Sequence, residues 1–176
     1  MPSDTKERIQ AVARELFMRQ GVQNTSLRQI SDRLGITKPA LYYHFSSRED
    51  LVRSIVQPMV EDVERFVATR GQGEAGKLLE DYFDLVWQHR EVIVMVMQDM
   101  STLAYLDLGQ RMFDWRRRLI TLLLGPELTQ AQHIRATVAL GGMSDCTVEY
   151  AHLPPEEVKP AAVEAAAAAL GLQTAM

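Results

Sequence analysis

The sequence predicts an all-α protein in which a three-helix N-terminal head is joined to a longer helical body. Apolar residues recur at spacings of three and four along nearly the whole chain, and no stretch alternates convincingly with a period of two. Capping residues, glycines and prolines divide this pattern into three short N-terminal helices and several longer ones. A chain of 176 residues is long enough for a small domain attached to a larger one.

The first predicted helix ends at Gly21, a residue type that favours helix termination. Its apolar residues fall on one stripe, as expected of a helix that packs on a core: Ile9, Val12, Ala13, Leu16 and Phe17.

The second and third predicted helices are short and are separated by Gly35-Ile36-Thr37. The second runs from Ser26 to Leu34, with Ser26 and Gln29 spaced as a capping box and Gly35 at its end. In the third, Thr37 is a suitable N-cap, and Pro39 lies in the first turn, where its missing N–H is tolerated.

A fourth predicted helix starts at Ser46 or Ser47, with acidic residues near its positive end, and residues 47–70 connect head and body. We therefore expect two domains, 1–46 and 47–176. Glycines at 71–76 indicate a linker, and the remaining helices are expected at 77–89, 91–100, 103–124, 128–152 and 156–171.

The charge is unevenly distributed, since residues 1–53 carry nine Lys/Arg against six Asp/Glu, whereas the rest carries ten against seventeen. A cationic head suits a polyanionic partner.

The chain has neither an apolar run of membrane-spanning length nor the pattern of a signal peptide, and Cys146 is its only cysteine. These features predict a cytoplasmic protein without membrane association or an internal disulfide bond.

Two short helices joined at a glycine turn and braced by a third form the plan of a helix-turn-helix, whose second helix enters the major groove. Leu41 and Phe45 would face inward and leave polar side chains outside.

Three runs of residues carry a resemblance to the TetR (tetracycline-repressor-like) family, which covers about residues 5–55: Thr25-Ser26-Leu27-Arg28-Gln29-Ile30, Gly35 to Phe45 (GITKPALYYHF), and Ser47-Arg48-Glu49-Asp50-Leu51.

The resemblance implies that the head binds operator DNA. It assigns phosphate contacts to Tyr42 and His44, base or phosphate contacts to Lys38, and further phosphate contacts near helix N-termini. The expected DNA-binding residues are Ser26, Arg28, Thr37, Lys38, Pro39, Ala40, Tyr42, Tyr43, His44 and Arg48. Pro39 replaces the glycine of many relatives, and Arg48 replaces a common lysine.

Three of the expected DNA contacts have a structural alternative. Arg28 would otherwise be a solvated helix charge, His44 a structural cap contact, and Tyr43 a side chain half-buried against the first helix.

In the body, Arg116 falls within an apolar arc of its helix that includes Tyr105. Asp145 and Glu149 lie one turn apart on an apolar face of the 128–152 helix. They would form an internal ion pair, a dimer-interface pair, or the polar groups of an effector pocket. The candidate ligand-binding residues are Trp87, Met95, Met100, Phe113, Arg116, Met143, Asp145, Cys146 and Glu149.

The family plan also implies a homodimer formed through the last two helices, where Gly141-Gly142 and the alanines of 161–169 permit close approach.

The predicted function is that of a transcriptional regulator, a repressor released from a palindromic operator by an unidentified small-molecule effector. The alternatives are a helical protein-interaction module without DNA binding and a small enzyme. No catalytic motif, metal-ligand spacing or cofactor motif occurs in the sequence, so no catalytic residue, cofactor or metal is expected.

Overall fold

The computed structural model describes residues 2–71, 73–99, 104 and 106–172, and these residues form helices without strands, which confirms the predicted fold class. Four helices lie before residue 70: α1 (Pro2–Gln20), α2 (Leu27–Leu34), α3 (Lys38–His44) and α4 (Arg48–Thr69). Five more follow in the described part: α5 (Ala75–Gln88), α6 (Arg90–Gln98), α7 (Leu108–Leu124), α8 (Gln130–Glu149) and α9 (Pro155–Leu170). None of the described helices is long and apolar enough to cross a membrane.

The helices group into two compact units, Met1–Glu61 with Glu91–Gly109, and Asp62–Arg90 with Gln110–Met176. The first unit contains α1 to α3, and its core is formed by the stripes expected from the sequence. Ile9, Ala13 and Phe17 of α1 are fully buried, as are Ile30 of α2 and Leu41 of α3. The division of the chain into domains 1–46 and 47–176 stays a prediction.

Local sequence signals set the ends of the short helices. Ser26 and Gln29 form the expected capping box, in which Ser26 Oγ accepts from Gln29 N at 3.2 Å and Gln29 Oε1 accepts from Ser26 N at 2.7 Å. Gly35 ends α2 with φ +67°, a conformation that costs glycine little. Thr37 caps α3 by accepting from Ala40 N at 3.3 Å.

Pro58 lies inside α4 and has no N–H for the carbonyl of Ser54, four residues earlier. α4 is nevertheless continuous from Arg48 to Thr69. The side chain of Gln10 in α1 reaches this point, where its Nε2 donates to Ser54 Oγ at 3.0 Å and lies 3.4 Å from the Ser54 carbonyl oxygen. A polar side chain of α1 thus contacts the carbonyl that the proline leaves without its helical donor.

The second unit packs α9 on α8 and α5 around a core that includes Phe83, Leu140, Met143 and Ala166. The sequence also spaces Thr129 and Gln132 as a capping box, and they form it at the start of α8. The helix predicted from residue 103 is corrected: α7 begins at Leu108 because Asp107 has φ +54°, which interrupts a right-handed helix. Tyr105, which was assigned to that helix, lies outside the described residues.

Candidate nucleic-acid interface

The third helix, α3, has an apolar inner side and a polar outer side. Leu41 is fully buried and Phe45, which follows the helix, is 2% exposed. Outside, Tyr42 is 49% exposed and Tyr43 is 84% exposed. Tyr43 is therefore not half-buried against α1, and that alternative is wrong. His44 is partly buried, with its ring edge-on to Tyr43 at a centroid distance of 5.2 Å.

Residues from the starts of α2, α3 and α4 surround one open depression of about 450 Å³. It brings together five of the expected DNA-binding residues: Ser26, Arg28, Lys38, Tyr42 and Arg48. Thr37, Pro39, Ala40, Tyr43 and His44 do not line it, although all but His44 are exposed. Two helix N-termini with hydroxyl caps, beside three cationic side chains, form a surface suited to phosphate oxygens.

Two of the three cations already have protein partners. Arg48 donates to the carbonyl oxygen and the Oε1 of Gln23, both at 3.0 Å, so its guanidinium is fixed against the segment between α1 and α2. Arg28 lies 3.6 Å from Asp32, one turn along α2, and both side chains are largely exposed. Such an exposed pair contributes little to stability, so its arginine remains available to a phosphate.

Five other residues line the depression and were not expected to bind DNA: Thr25, Leu27, Ser46, Ser47 and Glu49. Thr25 is structural, since its buried hydroxyl donates to the Gly21 carbonyl at 2.8 Å. Glu49 places an anion among the cations. A backbone hydrogen bond, assisted by Ser47 and Arg48, lowers the pKa of Glu49, although desolvation opposes the shift. The sequence signal for these residues was indirect: Ser46 and Ser47 were candidate starts of the fourth helix, and the others lie in the runs that carry the resemblance.

The candidate ligand-binding residues do not surround one cavity in the structure. Met95 is buried in the first unit, and Met143 is buried in the core of the second. Trp87 is half-buried and stacks on Phe83 at 5.5 Å, and Cys146 is half-buried. Four other candidates are exposed: Phe113, Arg116, Asp145 and Glu149. Met100 lies outside the described residues.

The charges of Arg116 and Asp145 nevertheless both act on Tyr82 of α5. The hydroxyl of Tyr82 is 2.8 Å from Ser144 Oγ. Burial raises the pKa of Tyr82, the Ser144 hydrogen bond and the Arg116 charge oppose this, and the Asp145 charge adds to it. Within the described residues, no ion pair joins Arg116 to Asp145 or Glu149. The alternative of an internal ion pair among these three residues is therefore not supported.

A second open groove of about 380 Å³ was not expected from the sequence. It lies within the second unit, and its wall includes Phe66, Thr69 and Arg70 of α4 and Leu85 and Gln88 of α5. None of the candidate ligand-binding residues lines it.

The N-terminal part of the chain is similar in sequence to bacterial regulators. Residues 9–55 match the family model described as bacterial regulatory proteins of the tetR family. The HTH-type transcriptional regulator AcrR of Shigella flexneri is 42% identical over 52 residues, which are 30% of this chain and 24% of that protein. The match therefore spans about a quarter of the curated relative's length.

Solved structures extend the similarity to the body. A TetR/AcrR-type transcriptional regulator of Aquifex aeolicus has a TM-score of 0.75 at 24% identity, over 91% of this chain and 96% of that chain. A TetR/AcrR family regulator of Thermobifida fusca has a TM-score of 0.54 at 27% identity, over 97% of this chain and all of that one. Residues 9–55 thus form a helix-turn-helix head of the tetR type, and the all-helical fold is similar to that of TetR/AcrR-type regulators.

Proposed function

We propose that the protein is a transcriptional repressor that binds a palindromic operator as a homodimer in the bacterial cytoplasm and is released by a small-molecule effector. One observation carries the DNA-binding part of this proposal. Ser26, Arg28, Lys38, Tyr42 and Arg48, all but Tyr42 at helix starts, line one depression beside an exposed α3. In this arrangement α3 would enter the major groove, and the surrounding side chains would hold the phosphates on either side.

Selection of duplexes from a random DNA pool by the full chain tests this function. We expect enrichment of a palindrome whose half-sites are related by the two-fold axis of the dimer. Binding should weaken steeply with salt, because each neutralised phosphate releases counterions. Recovery of a random pool without an enriched sequence would contradict operator recognition.

The homodimer is supported by an apolar face on α8 and α9. Ile134 and Val138, one turn apart on α8, are 57% and 62% exposed. Further along α8, no atom beyond the adjoining residues and backbone of this helix lies within 4 Å of where a Cβ would stand on Gly141 or Gly142, so a second helix has room to approach. Three exposed alanines of α9 add a narrow surface of small residues: Ala161, Ala165 and Ala168. A second copy of the chain would cover this face in an isologous interface.

For the effector, we propose that Arg116, Asp145 and Glu149 orient a ligand that carries a charge or a strong hydrogen-bonding group, and that Phe113 and Trp87 contact its ring or chain. The action of both the Arg116 and the Asp145 charge on Tyr82 supports this placement for two of the three polar groups. The exposure of Asp145 and Glu149 on α8 is equally suited to the dimer interface. Effector-dependent operator release and the oligomeric state distinguish these two roles.

We expect Arg116→Met and Glu149→Gln to require a higher concentration of effector for operator release, while their operator affinity without effector stays unchanged. The reason is that a few polar groups orient a ligand in a mostly apolar site. The measurement is release of a labelled operator across a panel of amphipathic compounds, with the exposed Arg118→Met as a matched control. Unchanged release by the same compounds in both variants would show that these side chains are not part of the effector site, and a loss of dimer would assign them to the interface.

A further inference from the structure

Arg48, the first residue of α4, is held by a residue that does not itself line the depression. Its Nη1 donates to the Gln23 carbonyl oxygen and its Nη2 donates to Gln23 Oε1, both at 3.0 Å. We call these two hydrogen bonds the Gln23–Arg48 clamp. Two bonds from one planar guanidinium to one residue fix its orientation as well as its position. Arg48 lines the depression and its side chain is 28% exposed, so further N–H donors of the clamped guanidinium are available there.

The segment that carries Gln23 is itself anchored on both sides. Val22, the preceding residue, is 1% exposed. On the other side, Asn24 Nδ2 donates to the Gln20 carbonyl oxygen and Gln20 Nε2 donates to the Asn24 carbonyl oxygen, both at 2.9 Å. Gln20 Nε2 also donates to the buried Thr25 hydroxyl at 3.1 Å. An acceptor on such a segment places a guanidinium more precisely than one on a mobile loop.

A second acceptor lies close to the same guanidinium. Glu49 Oε1 is 3.6 Å from Arg48 Nη2, which is longer than a hydrogen bond. If this carboxylate closed on Arg48, it would cancel more of the charge that a phosphate needs. The amide of Gln23 carries no net charge, so it orients the guanidinium and leaves that charge uncancelled. The clamp thus favours the orientation in which Arg48 keeps its charge for an anion outside the protein.

We propose that Gln23 is a positioning residue of the DNA-binding surface, which fixes the Arg48 guanidinium before DNA binds so that it donates to a phosphate oxygen. Ordering one long side chain at an interface costs about two- to tenfold in affinity, and an arginine that is already held avoids this cost. Gln23 acts through Arg48 and makes no contact with DNA of its own. The proposal rests on the proposed function, because it needs DNA at the depression.

Nuclear magnetic resonance of the arginine side chains in the full chain tests the clamp without DNA. Rotation about the Nε–Cζ bond exchanges the two η nitrogens, so in Arg48 it must break both hydrogen bonds to Gln23. Gln23→Met keeps the length of the side chain and removes the Oε1 acceptor. We expect it to speed this rotation by about tenfold, as the loss of one hydrogen bond to a charged group would. An unchanged rotation rate would overturn the clamp.

Operator affinity tests the role of the clamp through a double-mutant cycle. Gln23→Met should weaken operator binding by about tenfold for a dimer, in which two arginines lose the clamp. In an Arg48→Gln background the same substitution should have no further effect, because the group through which it acts is gone. Gln57→Met is the matched control, an exposed glutamine of α4 outside the depression whose amide also makes a hydrogen bond, to Glu61. It should bind like the wild type.

The possible outcomes of the cycle distinguish this proposal from the proposed function. Equal weakening by Gln23→Met in both backgrounds would mean that Gln23 contacts DNA directly or only shapes its loop, and would refute the positioning role. Wild-type affinity in Gln23→Met would also refute it. If the wild type binds no duplex, the proposed function fails and the role in DNA binding fails with it, whereas the rotation rates still decide whether Gln23 fixes Arg48. Equal melting temperatures would show that the variants are folded.

Discussion

Lys38→Ala is expected to weaken operator binding by about tenfold or more, since each lost hydrogen bond to a charged group is worth about 1.5–3 kcal/mol. Lys38 is exposed at the start of α3 and lines the depression with Ser26 and Arg28. If it neutralises a phosphate, its loss should also reduce the slope of log affinity against log salt by about one unit for each contact, hence by about two for a dimer.

The measurement is fluorescence anisotropy of a labelled operator over a range of salt concentrations. Tyr42→Phe is a second variant, because it removes a neutral hydroxyl and keeps the ring. It should weaken binding without changing the salt slope, since no counterion release depends on it. Lys77→Ala is the charge-matched control, an exposed lysine of α5 that pairs with Asp81 in the second unit. Wild-type affinity in both Lys38→Ala and Tyr42→Phe would mean that α3 is not the DNA-reading helix.

The head was predictable because its determinants are local. A capping box needs two residues three positions apart, and both boxes of the chain, at Ser26–Gln29 and Thr129–Gln132, formed as the sequence predicted. The glycine at position 35 adopts the left-handed conformation that its place after an apolar stripe indicated. Signals within one helical turn do not depend on the rest of the fold.

Features that depend on distant residues were not predictable. The guanidinium of Arg48 is fixed by Gln23, a residue 25 positions earlier. Nothing in the spacing of either residue indicates this contact. In the same way, the Asp62–His89 pair spans 27 positions, and His89 taken alone gave no sign of a partner.

The body shows a further limit of helical periodicity. Arg116 lies on an apolar arc whose C-terminal members Leu119, Ile120 and Leu123 are buried, while Met112 on the same arc is 49% exposed. Periodicity indicates which residues share a face of a helix. It does not indicate how far along the helix a neighbour covers that face, because this depends on where α7 begins and what packs on it.

Val138→Asp is expected to convert the dimer into a folded monomer. Val138 lies on the α8 face with Ile134 and is 62% exposed in the single chain, so an aspartate there buries no charge in the monomer and should leave its melting temperature nearly unchanged. In an isologous interface each substitution occurs twice, near the same two-fold axis. Two carboxylates would then lose hydration and repel one another, which should cost several kcal/mol of association free energy.

Operator affinity should fall by more than about a hundredfold in this variant, because the second half-site is no longer bound at high effective concentration. Sedimentation velocity reports the oligomeric state, circular dichroism the fold, and anisotropy the affinity. Thr121→Asp is the matched control, an exposed position of α7 outside the α8 and α9 face. It should remain dimeric and bind the operator normally. A Val138→Asp protein that is still a dimer would place the interface elsewhere, and a wild type that is monomeric at micromolar concentration would contradict the homodimer itself. A core substitution would lower both the melting temperature and the association, whereas loss of the proposed dimer in an intact helical chain would locate the interface at the α8 face that carries Val138.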